Sequence, residues 1–162
     1  MARRRARDIG RLDGPAATKA LAASLAPHLR AGDVIALEGE LGTGKTTFAR
    51  GLIAALGGVG EVPSPTFTMV QAYDTAPAPL WHFDLYRLAT PADAYELGIE
   101  EAVATAISVV EWPDRLGALL PRDRLDVRLA FDAEPDVRRV RLVGYGAWAA
   151  RLAAIESALP SA

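Results

Sequence analysis

At 162 residues, with 51% hydrophobic and 23% charged positions and no cysteine, the chain has the composition of one globular domain, and a disulfide-stapled scaffold, a thiolate metal site and a thiol nucleophile are excluded. A net charge of -2, from 18 basic and 20 acidic residues, argues against a protein whose main task is wrapping nucleic acid. No stretch approaches the roughly 18–20 consecutive apolar residues of a membrane helix, and no apolar run follows the N-terminus as in an export signal, so a cytoplasmic location is expected.

The cluster Arg3, Arg4, Arg5 and Arg7 precedes Asp8 and Gly10 and reads as a solvated basic tail over 1–11, leaving a single domain over 12–162. Ala20, Leu21, Leu25 and Leu29 share one face of a helix expected over 17–29, with Gly32 placed to end it. The segment 33–38 (DVIALE) reads as a short buried strand, followed by a glycine-rich turn and a helix over 45–56 that stops at Gly57-Gly58. Two prolines make 62–66 an extended loop, and 67–73 alternates like a strand that could pair with a second one over 80–85. Two short helical pieces divide near Gly98 within 91–105, and the β-branched run 107–110 leads into Glu111-Trp112-Pro113. Leu125, Val127, Leu129 and Phe131 alternate strictly, a second alternating run covers 137–143, and a helix is expected over 147–159. This order predicts an α/β, P-loop NTPase-like sandwich with a mainly parallel sheet, an antiparallel extension, and a C-terminal hairpin plus helix.

The turn Gly39-Glu40-Leu41-Gly42-Thr43-Gly44-Lys45-Thr46 lies between an apolar strand and a helix, the context that distinguishes a phosphate loop from an incidental turn. Backbone N–H groups from Leu41 to Gly44 would surround the phosphates, and Lys45 would bridge the β- and γ-phosphates. The Thr46 hydroxyl would ligate magnesium, and Thr47 would lie near the α-phosphate. Only Lys19 and Lys45 are lysines among the 18 basic residues, so a compact ammonium stands where a planar guanidinium fits less well. A nucleoside triphosphatase also needs a strand-end carboxylate, and Asp84 and Glu111 are the candidates. Glu111 follows the more apolar strand; which of the two contacts the metal is left open. Ser64-Pro65-Thr66 reads equally as a γ-phosphate-sensing switch or a simple turn. Trp112 is read as packing or as a stacking surface, and His28 and His82 as structural.

Several segments together resemble one family, the bacterial P-loop ATPase of tRNA threonylcarbamoyladenosine biosynthesis, TsaE. They are the loop at 39–47, Ser64-Pro65-Thr66-Phe67, His82-Phe83-Asp84-Leu85-Tyr86-Arg87-Leu88, Glu96-Leu97-Gly98-Ile99 and Val110-Glu111-Trp112-Pro113. The resemblance implies a magnesium-dependent ATPase, weak alone, that uses ATP and Mg2+ and acts on the protein subunits of the tRNA threonylcarbamoyl transferase complex, touching tRNA at most indirectly and no membrane. It implies catalytic roles for Lys45, Asp84, Glu111 and Thr66, and metal-side roles for Thr46, Asp84 and Glu111. It also places Thr18 beside the adenine and suggests a nucleotide contact from the hairpin, unassigned among Arg138, Arg139 and Arg141. The alternative is a small-molecule kinase, with 116–124 as its lid.

Overall fold

A computed structural model of the chain describes residues 3–58 and 68–160. Seven strands form one sheet: β1 (Arg4–Asp13), β2 (Val34–Glu38), β3 (Val70–Tyr73), β4 (Leu80–Asp84), β5 (Ile107–Glu111), β6 (Arg124–Phe131) and β7 (Val137–Tyr145). Their order is β1-β7-β6-β2-β5-β4-β3. The centre, β6-β2-β5-β4, is parallel, while β3 on one edge and β7 with β1 on the other run antiparallel to their neighbours. β2 and β5 sit mid-sheet because their apolar runs can be buried on both faces, whereas β6 and β7 alternate.

Helices α1 (Gly14–Leu25), α2 (Lys45–Ala55) and α4 (Ala147–Ile155) supply Leu21, Phe48, Leu52 and Trp148 to one core. These pack with Ile35, Leu37, Leu125 and Val127. A second cluster joins Phe83 and Val110 to Ile99 and Ala102 of α3 (Ile99–Thr105) and to Leu88 and Leu116 from flanking turns. Each large side chain buried in these clusters contributes roughly 1.5–3 kcal/mol relative to exposure.

Three elements depart from the sequence pattern. Residues 1–11 were expected to lie outside the domain, but residues 4–13 form β1, paired with β7 from Arg4↔Tyr145 to Asp13↔Val137. A bulge between Asp8 and Gly10 turns both Ile9 and Leu12 into the core, so no simple alternation marks the strand. Exposed Arg4 and Arg5 then do what charges on an edge strand do, discouraging the addition of another strand. The first helix begins earlier than expected and ends at Leu25, passing into a single tight turn over Ala26–His28, because Pro27 has no N–H with which to continue it. β3 starts at Val70 rather than 67: Phe67 lies outside the described residues, and Met69 has a φ of +66°, which no extended strand accommodates.

Candidate functional site

The glycine-rich loop leaves the end of β2 and enters α2. A side chain at Gly39 would place its Cβ 2.5 Å from Thr43 Oγ1 and 2.6 Å from the Leu129 carbonyl oxygen, so the loop closes only with glycine there. Gly44 caps α2 with a φ of +104°, a conformation glycine reaches without the penalty of a Cβ. Between them, Thr43 donates to the Glu40 carbonyl through both its hydroxyl (2.8 Å) and its N–H (3.2 Å), holding the turn tight. The first-turn N–H groups of α2 have no intrahelical acceptors and form the positive end of the helix dipole. Such an end attracts anions, phosphates above all.

Lys45 is buried, and its Nζ donates to the Gly39 carbonyl and, at 3.2 Å, to the Glu40 carbonyl. The ammonium also sits 3.8 Å from the centre of the Trp112 ring, a cation–π contact. Burial pushes the Lys45 amine below its ordinary range, with Glu111, Asp84 and Asp114 pulling it back up. Trp112 adopts a φ of +59° and packs on Tyr86, ring centres 5.0 Å apart. It therefore serves as packing and as a lid on the lysine together.

The parallel register of β4 and β5 sets Asp84 beside Glu111. Both carboxylates are nearly inaccessible. The Thr46 hydroxyl lies 3.1 Å from each Glu111 carboxylate oxygen, and Asp84 Oδ1 accepts the Tyr86 N–H at 3.1 Å. His82 lies two residues before Asp84 and so shares its face; its Nε2 stands 2.6 Å from Glu111 Oε2. Gly42, Gly44, Lys45, Thr46, Thr47, Asp84 and Glu111 line one cavity of about 370 Å³, with exposed Leu41 and Arg87 at its margin.

A second cavity of about 250 Å³ lies against the same loop, lined by Thr18, Gly42, Thr43, Gly44, Thr47 and Arg138 among others. Thr18 arrives there because α1 packs on α2. Arg138 donates to the Gly42 carbonyl at 3.3 Å and lies 4.9 Å from the Phe131 ring. Arg139 instead pairs with Asp132 at 3.1 Å, and Arg141 lies opposite Arg128 across the β6–β7 pair. Of the three hairpin arginines, Arg138 alone lines a cavity at the loop. Thr66 lies outside the described residues, as do Ser64 and Pro65.

The sequence reading grouped the loop, Asp84 and Glu111, and the structure brings them together. It missed His82 as a partner of Glu111, although spacing of two from Asp84 on a strand was the available signal. Arg138 carried no such signal, because hairpin register decides which arginine meets the loop. Among the described residues no three His, Cys, Asp or Glu side chains cluster as a metal cage. A hydroxyl and one or two carboxylates beside a phosphate pocket are nonetheless the hard-oxygen set that magnesium takes, and Thr46 with Glu111 and Asp84 fits it.

A parallel-centred sheet whose first central strand runs through a glycine-rich loop into a helix defines a P-loop NTPase-like fold. The crystal structure of Bacillus subtilis YdiB has the same architecture, with a TM-score of 0.78, 29% identity and 97% of each chain covered. The family model for "Threonylcarbamoyl adenosine biosynthesis protein TsaE" matches residues 12–140, and the chain belongs to the TsaE family. A Rickettsia felis protein named tRNA threonylcarbamoyladenosine biosynthesis protein TsaE is 41% identical over 113 residues, the match spanning 69% of this chain and 66% of that protein. The Bacillus subtilis protein of the same name is 38% identical over 126 residues, 76% of this chain and 78% of its own length.

Proposed function

We propose that the chain is a magnesium-dependent ATPase acting in tRNA threonylcarbamoyladenosine biosynthesis, where it binds the threonylcarbamoyl transferase complex and resets it through ATP hydrolysis. The observation that carries this reading is the convergence of Lys45 and Thr46 of α2, Asp84 of β4 and Glu111 of β5 on one cavity at the glycine-rich loop. ATP is taken with its phosphates against the loop N–H groups and the first turn of α2, and with its base toward the Thr18 and Arg138 cavity. Lys45, which now donates to the Gly39 and Glu40 carbonyls, would turn to phosphate oxygens, and the Thr46 hydroxyl, now on Glu111, would help to hold the metal. The chemistry that a magnesium ion held there would supply is neutralisation of phosphate charge. Asp84 and Glu111 would hold the metal side and orient the water that attacks the γ-phosphorus, the bond to the bridging oxygen breaking as the new one forms, so that ADP leaves with that oxygen and the proton of the water ends on the phosphate released. Thr66 would face the γ-phosphate as the switch residue that the family resemblance implies.

The kinase alternative needs a mobile lid, and the segment proposed for that part is tied down: Leu116 is fully buried, with Leu119 and Leu120 packed on the same cluster. The ATPase reading is tested by association with the transferase subunits in ATP, in ADP and without nucleotide. Nucleotide-dependent association that Asp84→Ala removes is expected; association indifferent to nucleotide and to Asp84 would overturn it.

A further inference from the structure

The network around Glu111 contains one group with no role so far. His82 is completely buried on β4, and its Nδ1 meets no hydrogen-bond partner among the described residues. A buried ring nitrogen without a partner costs roughly 1–3 kcal/mol, a cost that a leucine or phenylalanine filling similar volume avoids. What the imidazole supplies that an apolar side chain does not is the 2.6 Å contact from Nε2 to Glu111 Oε2. A carboxylate oxygen accepts, so Nε2 carries the proton that this contact uses and donates it to Glu111.

Glu111 is therefore gripped from two sides, by Thr46 on α2 and by His82 on β4. The two grips differ in permanence. Thr46 opens the helix at the phosphate loop, and its single hydroxyl proton is shared between two oxygens at 3.1 Å. His82 is held within the sheet at a shorter distance, and its Nε2 has no other hydrogen-bond partner among the described residues. When Thr46 releases Glu111, His82 is the side-chain donor that remains on the carboxylate among the described residues.

We propose that His82 is a positioning residue, which fixes the Glu111 carboxylate through Nε2 so that its free oxygen stays aimed at the metal side of the cavity. This rests on the magnesium-dependent reading above and extends it to a residue outside the cavity lining. Groups that orient a metal ligand in this way are worth roughly 10–100-fold in metal affinity or activity.

The amides provide a geometric test. Gln carries its amide nitrogen as far along the side chain as imidazole carries Nε2, whereas Asn reaches only the place of Nδ1. The measurement is ADP affinity by calorimetry, with Mg2+ and with a chelator, for the wild type, His82→Gln and His82→Asn, with thermal unfolding as the check on folding. We expect His82→Asn to reduce the gain in affinity from Mg2+ by about tenfold or more. Its chelator-only affinity should stay within about twofold of wild type, and His82→Gln should retain most of the magnesium gain. Equal behaviour of Asn and Gln, whether both unaffected or both impaired, would overturn the inference while leaving the ATPase reading standing. A wild type that gains nothing from Mg2+ would overturn both. Imidazole nitrogen NMR gives a reading that needs no variant, since the chain has only two histidines. A proton on Nε2 of His82 is expected, and a ring protonated at Nδ1 alone would overturn the assignment.

Discussion

Glu111 on β5 and Asp126 on β6 are both buried carboxylates in the parallel centre of the sheet, with only β2 between their strands, yet their surroundings differ in kind. Asp126 is enclosed by cations: Arg124 Nε lies at 2.8 Å and Arg128 Nη2 at 3.4 Å, and Arg124 is covered in turn by the Tyr145 ring at 4.3 Å. Glu111 is held by the neutral Thr46 hydroxyl and by His82, and it borders a cavity that also contains Lys45. A carboxylate whose charge is already matched by adjacent arginines has little left to offer a ligand. One held by a hydroxyl and an imidazole beside an open cavity can still be reached by whatever enters it. The same residue chemistry is thus enclosed by cations on one side of β2 and opens on a cavity on the other.

The largest effect that separates the two regions is on stability. Arg124→Ala leaves the Asp126 carboxylate buried with only the longer Arg128 contact, and a loss of about 3 kcal/mol is expected in denaturant unfolding. A loss below about 0.5 kcal/mol would show that Asp126 is not held by charge pairing, and the contrast with Glu111 would fail.

A smaller effect concerns pH. Glu38 lies at the end of β2, its carboxylate 3.1 Å from Arg128 Nε as an ion pair without hydrogen-bond alignment. Burial, and then the Asp126 charge, push the Glu38 carboxyl above its ordinary 4.5. A group whose pKa is raised by folding contributes stability that is complete below the unfolded value and is lost as pH rises through the folded one. Glu38 therefore works against folding from pH 4.5 upward, and Glu38→Gln should flatten the pH dependence of the melting temperature above that point. Because the side chain is more than a third exposed, the gain at neutral pH stays below about 1 kcal/mol. A wild-type melting temperature that climbs more steeply over this range than that of Glu38→Gln would reverse the sign and count against this account of the cluster.

The difference between the regions also explains what could be read from the chain alone. The strand, loop and α2 were legible because their chemistry is local: an apolar run, glycines where the backbone must approach closely, and Lys45-Thr46 opening the helix. Glu111 was legible as the acid ending an apolar strand, and Asp84, after a run only partly apolar, chiefly through the family resemblance of its segment. β1 was not, because a bulge at Ile9 breaks its alternation and its arginines resemble a solvated tail. His82 could be placed on the face of Asp84 from its spacing, but its partner could not be read, and Arg138 could not be placed at all, because each acquires its partner through pairing between strands: His82 through the β4–β5 register, and Arg138 through the hairpin that carries it to Gly42. The arginine cage of Asp126 was invisible for the same reason, since Arg124, Asp126 and Arg128 read in sequence as the polar side of one alternating strand.

The most direct test is equilibrium binding of ATP with Mg2+ to the wild type, Lys45→Ala and Arg124→Ala. Truncating one partner of a buried, hydrogen-bonded charge pair costs roughly 2–5 kcal/mol of binding, so Lys45→Ala should weaken binding by about 30-fold or more. Arg124→Ala, although less stable, should bind within about twofold of wild type while it remains folded. Undiminished ATP binding by folded Lys45→Ala would contradict the assignment of the β4–β5–α2 cavity as the nucleotide site.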